Sequence, residues 1–173
     1  IMSMRWVLTW TAAAASSDSR KAKARLVVRG YTDPDLTSLR AESPTLSMVG
    51  RHIMLQLCAS HKWTPELGDV KTALLQGEHG EGERNVYAEP DASTKPLFGL
   101  KPDEVLKLTG SVYGLRTAPK AWFQKVAKDL KNAGFRQHQL DPRMFMKCDA
   151  VGRLQGFIGV YVDDVLLCGG LDN

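Results

Sequence analysis

From Ala118 to Ala133 the apolar and basic positions separate with helical periodicity. At about 100° per residue, Trp122, Phe123, Val126, Leu130 and Ala133 fall on one side, and Lys120, Lys125, Lys128 and Lys131 on the other. Thr117 stands at the cap, Pro119 in the first turn and Gly134 past the end, so the pattern predicts a helix here. A second helix is predicted from Thr45 or Ser47 to about His61, with Val49, Ile53, Met54 and Leu57 facing a core. Trp63 to Val70 reads as a strand that delivers Asp69 to its end, and Thr72 to Leu75 as a short helix stopped at Gly77. Two apolar runs, Leu154 to Val162 and Val165 to Cys168, flank Asp163 and Asp164 and predict a hairpin.

Elsewhere the pattern is weaker. Leu26-Val27-Val28 predicts a strand approached by bases, and Tyr31 to Asp35 is turn chemistry. Ala12 to Ser19 reads as a flexible link, and His79 to Asp103 as a long connection with one strand, Asn85 to Ala88. Val105 to Leu108 adds another strand. This mixture of helices and strands predicts an α+β fold, organised as a leader strand and link over residues 1–20 and one region over residues 21–173.

Composition narrows the function classes. A hydrophobic fraction of 43% and a charged fraction of 24% are those of a globular domain, and the net charge of +4 makes an acidic partner such as nucleic acid natural. The lysine face is a solvated surface or a phosphate-facing one, with Lys120, Lys125 and Lys128 as candidate nucleic-acid contacts. Cys58, Cys148 and Cys168 give no C-x-x-C pair, and the four histidines lie far apart, so neither a disulfide framework nor a zinc site is readable and a reducing, intracellular setting is expected. Arg5, the Trp6–Trp10 stretch and Ala12 to Ala15 have the layout of a secretory signal. The stretch is short and broken by Thr9 and Thr11, and the chain opens on Ile1 as if cut from something longer. No run approaches the ~20 apolar residues that span a bilayer.

Taken alone, Asp163-Asp164 is a turn signal. Yet Asp-Asp is a poor pair for a two-residue hairpin, and two adjacent anions between apolar strands repel unless positive charge sits beside them. A divalent cation would supply it. If the strand ending at Asp69 lies beside this hairpin, three carboxylates meet at one sheet edge. Such an oxygen-only set favours Mg²⁺ or Mn²⁺, and two ions about 4 Å apart suit in-line phosphoryl transfer.

These residues also carry a resemblance. Tyr161-Val162-Asp163-Asp164 resembles the Y-x-D-D box of reverse transcriptases, and Asp69 to Gly77 (DVKTALLQG) resembles the copia-type D-V-x-x-A-F-L-x-G motif. Ser111 to Trp122 (SVYGLRTAPKAW) is similar to that group's S-L-Y-G-L-K-Q-x-P-R-x-W, and Lys23 to Gly30 (KARLVVRG) to its K-A-R-L-V-A-K-G. Ser43-Pro44, Val86-Tyr87, Gly134-Phe135 and Asp141 also sit where the family has like residues. The boxes follow family order over nearly the whole chain. The resemblance implies a right-hand polymerase with fingers and an antiparallel palm sheet packed by helices, incomplete at the C-terminus, where thumb and RNase H would follow. It implies DNA synthesis on an RNA or DNA template with primer and deoxynucleoside triphosphates, within a longer Pol polyprotein that also carries integrase and RNase H. The setting implied is a cytoplasmic virus-like particle or the nucleus.

By the same resemblance Asp69, Asp163 and Asp164 would hold two Mg²⁺ or Mn²⁺ ions, with the Val70 carbonyl as a further ligand. Lys23 and Arg25 would lie near the incoming triphosphate, the Ala73 backbone beneath it, and Tyr113, Gly114 and Arg116 beside nucleotide and template. Two positions depart from the family. Leu74 stands where an aromatic residue usually excludes a ribose 2′-hydroxyl, and Thr117 replaces a usual Gln. The other reading is an inactive retroelement remnant that at most binds nucleic acid.

Overall fold

The computed structural model describes residues 1–11, 20–39, 43–78 and 84–170. In chain order the strands are β1 (Met2–Thr11), β2 (Lys21–Val28), β3 (Glu66–Asp69), β4 (Val86–Glu89), β5 (Leu106–Leu108), β6 (Arg136–Gln137), β7 (Met144–Cys148), β8 (Leu154–Tyr161) and β9 (Asp164–Gly169). The helices are α1 (Met48–His61) and α2 (Ala118–Asn132), so the class is α+β as expected. The link expected at Ala12 to Ser19 lies outside the described residues. The chain divides into two units, Ile1–Ala41 with Glu78–Ala118, and Glu42–Gly77 with Pro119–Asn173.

The first unit is built on a four-stranded sheet of order β2-β1-β4-β5. Arg5 and the Trp6–Trp10 stretch, read above as the start of a secretory-signal layout, lie in β1, paired antiparallel with β2 from Met4↔Val28 to Thr11↔Lys21, while Ala12 to Ala15 lie outside the described residues. Because side chains alternate along a strand, this register sorts the ribbon into two faces. Trp6, Leu8 and Trp10 share one with Leu26, Ala24 and Ala22; Arg5 shares the other with Arg25, Lys23 and Lys21. Beyond the ribbon, buried Asp33 is gripped by Arg84, which also reaches Asp35 at 2.6 Å. The hydrogen bond from Arg84 holds the Asp33 carboxyl below the usual carboxylate range.

The second unit is a five-stranded antiparallel sheet of order β3-β9-β8-β7-β6. Alternation along its central strands gives it two apolar faces. Phe157, Met144 and Cys168 join Met54 and Cys58 of α1 on one side. Phe145, Ile158 and Val160 join Phe123, Val126, Ala127 and Leu130 of α2 on the other. Helix α1 turns inward only part of the face its periodicity suggests: Met54 is buried and Leu57 packs against the same cluster, as expected. Gly50, Met54 and Cys58 are buried, whereas Val49 and Ile53 are exposed. Gly50 lies on the inward edge, where an added Cβ would stand 2.3 Å from a carboxylate oxygen of Asp141.

A network of charged groups ties the unit together. Ser47 caps α1 by accepting from the Gly50 amide at 2.8 Å, and Asp141 accepts from the Ser47 amide at 3.0 Å and its hydroxyl at 2.7 Å. Buried Arg143 donates to the Pro44 carbonyl and the Ser43 hydroxyl and lies over the Phe123 ring at 4.1 Å. Burial pushes its guanidinium down to about 10, and nearby Asp141 opposes that shift.

Candidate catalytic edge and nucleotide surfaces

Pro65 ends the extended stretch after Trp63, so the strand carrying Asp69 is shorter than its sequence suggests and begins at Glu66. It does deliver Asp69 to its end. β3 pairs with β9 so that Asp69 faces Asp164, and β8 pairs with β9 so that Tyr161 faces Asp164. Asp69, Asp164 and Tyr161 thus form one row across three strands, on the α1 face of the sheet.

The hairpin turn sits one residue earlier than expected. Asp164 already belongs to β9, and the turn pair is Val162-Asp163. Val162 has φ 56, whereas Asp163 stays out of the left-handed region. A positive φ at the first central position alone is the type II′ pattern, which usually takes Gly there. A β-branched residue in this conformation costs about 1–3 kcal/mol and persists only where its surroundings hold it. Both carbonyls of the turn are held. Trp122 Nε1 of α2 donates to the Val162 carbonyl at 2.6 Å, and the Val70 amide donates to the Asp163 carbonyl at 2.8 Å. Thr72, three residues past Asp69, is also left-handed at φ 54. Among the described residues only one other non-glycine residue, Lys62 at the end of α1, shares that conformation.

Asp69, Asp163 and Asp164 are all exposed. Among the described residues none of their carboxylates has a hydrogen-bond or ion-pair partner. Like charges directly opposite across two strands are destabilising, so this edge is built against its own electrostatics. The donor chemistry fits a hard divalent cation such as Mg²⁺. The side chains are not drawn together, and among the described residues no three His, Cys, Asp or Glu groups form a ready metal site. That still fits Mg²⁺, which commonly takes one or two carboxylates with water and substrate phosphate.

The other expected contacts fall into the two units separately. In the second, Ala73 is buried in a 3₁₀ turn (Ala73–Gln76), and Leu74 is half-buried beside it. The Ala73 amide donates to the Val70 carbonyl at 3.2 Å, so both backbone groups already have one partner. On α2, Lys125 closes an ion pair with Asp129 at 2.8 Å, while Lys128 is exposed and Lys120 half-buried.

In the first unit, Lys23 and Arg25 lie on the cationic face of the β1–β2 ribbon. The Arg25 guanidinium stands 5.9 Å from the centre of the Tyr113 ring, and the Val28 amide donates to the Tyr113 carbonyl at 2.8 Å. Gly114, at φ 90, fits because any Cβ would stand 1.9 Å from the Val28 carbonyl oxygen. Gly30 fits for a like reason, with a Cβ falling 2.1 Å from the Gly114 oxygen. Arg5, Arg29 and Arg116 line an open cleft here. The structure thus gathers Lys23, Arg25, Tyr113, Gly114 and Arg116 in the first unit, and Asp69, Val70, Ala73, Leu74, Asp163 and Asp164 in the second, with the α2 lysines. Sequence reasoning passes over the part played by Trp122, whose ring belongs to the expected apolar stripe; only its N–H hints at a polar partner.

The profile of the family described as "Reverse transcriptase (RNA-dependent DNA polymerase)" matches residues 1–172. The chain is 33% identical over 172 residues to the retrovirus-related Pol polyprotein from transposon RE2 of Arabidopsis thaliana, covering 98% of this chain and 11% of that protein. The RE1 polyprotein of the same plant is likewise 33% identical over 172 residues, again covering 98% and 11%. The polyprotein of transposon TNT 1-94 from Nicotiana tabacum is 32% identical over 148 residues, or 85% of this chain and 11% of that protein. The chain therefore spans about a tenth of the length of these relatives. No solved structure matches it. No helix among the described residues is long and apolar enough to cross a membrane. With its profile match from end to end, the chain belongs to the reverse transcriptase family of copia-type Pol polyproteins.

Proposed function

We propose that this chain is the fingers and palm region of an RNA-directed DNA polymerase, joining deoxynucleoside triphosphates to a primer on an RNA or DNA template. The observation that carries the reading is the register that sets Asp69 opposite Asp164, next to a turn that displays Asp163. The five-stranded unit is read as palm, and the unit with the basic ribbon as fingers. Asp69, Asp163 and Asp164, with the Val70 carbonyl, would hold Mg²⁺ or Mn²⁺. When bound, two such ions supply the positive charge that activates a primer hydroxyl and steadies the departing pyrophosphate. Lys23, Arg25 and Arg116 are suited to triphosphate, and Tyr113 and Gly114 to the base and template beside it. Lys120 and Lys128 are suited to duplex phosphates through charge alone. The relatives' printed names support a place within a longer Pol polyprotein, where RNase H and integrase would act on the same nucleic acid. An intracellular setting goes with that role.

The test is primer extension with Mg²⁺ or Mn²⁺ by a polypeptide carrying this chain. Asp163→Asn is expected to lower incorporation about a hundredfold or more while leaving the melting temperature intact. Equal incorporation by the variant would sink the assignment. A second reading, a remnant that binds nucleic acid without catalysis, draws on Leu74 and on the carboxylates not being gathered. It expects salt-sensitive binding of primer–template and no incorporation even by the unaltered sequence.

A further inference from the structure

Trp122 is a core residue by burial, 4% exposed on the sheet-facing side of α2. Its neighbours Phe123, Val126, Ala127 and Leu130 pack that helix on the sheet within an apolar cluster. What Trp adds to such a position is one donor. That donor is spent on the Val162 carbonyl at 2.6 Å, at the turn residue whose backbone is left-handed. The next carbonyl, of Asp163, is taken by the Val70 amide at 2.8 Å, from the residue that follows Asp69. Both carbonyls of one turn are therefore held, one by a helix and one by the residue that follows the neighbouring strand. A carbonyl held in place fixes the plane joining Val162 to Asp163. That plane in turn sets the direction in which the Asp163 side chain leaves the sheet edge.

We propose that Trp122 is a positioning residue: its indole N–H holds Val162 in the left-handed turn and so aims Asp163 at the position where a divalent cation is shared with Asp69. The inference rests on the carboxylate assignment made above. It goes beyond that assignment in giving the conformation of the acidic turn to a buried side chain that touches neither metal nor substrate.

Trp122→Phe keeps an aromatic ring and removes the donor. The chain is titrated with Mn²⁺, and free Mn²⁺ is followed by its electron paramagnetic resonance signal, with a thermal melt run on every variant. Loss of one hydrogen bond that favours the binding-competent turn is expected to weaken Mn²⁺ binding about fivefold. In a Val162→Gly background the left-handed turn has no Cβ penalty, so the same substitution is expected to weaken binding less. A residue that only fills the core would not show that dependence. Should Trp122→Phe fail to fold, benzothienylalanine at position 122 replaces the N–H by sulfur at nearly unchanged shape, and the same loss is expected. Wild-type Mn²⁺ affinity in the donor-less variant overturns the proposal, as does an equal loss in both backgrounds. The Asp163→Asn control separates the two claims. If it binds Mn²⁺ like the unaltered chain, or if the unaltered chain binds none, the carboxylate reading falls and takes the proposal with it. If it loses binding while Trp122→Phe does not, only the proposal falls.

Discussion

Two clusters of charged side chains lie in the same unit and are treated in opposite ways. Around the start of α1, Asp141 accepts from both donors of Ser47, and Arg143 is spread over the Pro44 carbonyl, the Ser43 hydroxyl and the Phe123 ring. At the end of β3 and β9, Asp69, Asp163 and Asp164 stand exposed, like beside like, with no partner among the described residues. The first cluster is what a fold does with charge it must bury: it pairs most of the polar groups with donors and acceptors, Arg143 Nη1 excepted. The second would be a defect if the fold were its only purpose. Placing two unpaired anions opposite each other on neighbouring strands, with a third on a turn that also stores backbone strain, is intelligible if a cation from outside completes the edge.

The contrast predicts opposite responses to removing one charge. Arg143→Met should lower stability by about 2 kcal/mol, read by denaturant unfolding, since it strips hydrogen bonds from Ser43 and Pro44. The loss is held to this size because burial already pushes the guanidinium down, and a methionine is free of that desolvation. Asp69→Asn, at the unpaired edge, should leave the metal-free chain as stable or slightly more stable by the same assay, because it relieves a cross-strand repulsion. A loss comparable to that of Arg143→Met would mean that the edge is structurally paired after all.

The first unit sharpens the comparison by pH. The Arg84 hydrogen bond lowers the folded-state pKa of Asp33. The stability this gives is fully present above the unfolded carboxylate value of about 3.9, and is lost as pH falls through the lowered folded value. Below about pH 4 the unaltered chain should therefore lose stability more steeply than Asp33→Asn. Parallel acid limbs in the two melts would remove Asp33 from the account. The smallest effect is expected beside the unpaired cluster. Leu74→Phe should lower ribonucleotide relative to deoxyribonucleotide incorporation by a few fold, about the selectivity of a modest steric change in a pocket. An unchanged ratio would mean that this side chain does not line the sugar.

Much of the second unit is legible in the sequence because its signals are local. The apolar stripe of α2, the Ser47 cap and the paired runs around the acidic residues each lie within one short stretch of chain. The rest depends on distant partners. The β6–β7 hairpin leaves little trace because β6 has two residues and Met144 to Cys148 shows no polar alternation. The acidic turn is displaced by one residue from its expected place because Val162 looks like strand. The contacts at this turn come from Trp122, 40 residues away in sequence, and from the Val70 amide, so no local pattern announces them. Part of the inward face of α1 is hidden because Gly50 adds nothing to an apolar count, yet it is where Asp141 approaches the helix. No local signal fixes the meeting of Asp69 with Asp164, since pairing across 95 residues is a property of the whole sheet.

The most direct measurement is the melting temperature of the chain with and without Mn²⁺, beside that of Asp163→Asn. An ion that binds the folded edge and not the unfolded chain must stabilise it by mass action. The account predicts that Mn²⁺ raises the melting temperature of the unaltered chain and leaves that of Asp163→Asn where it was. An equal rise in both, or none in either, would contradict it.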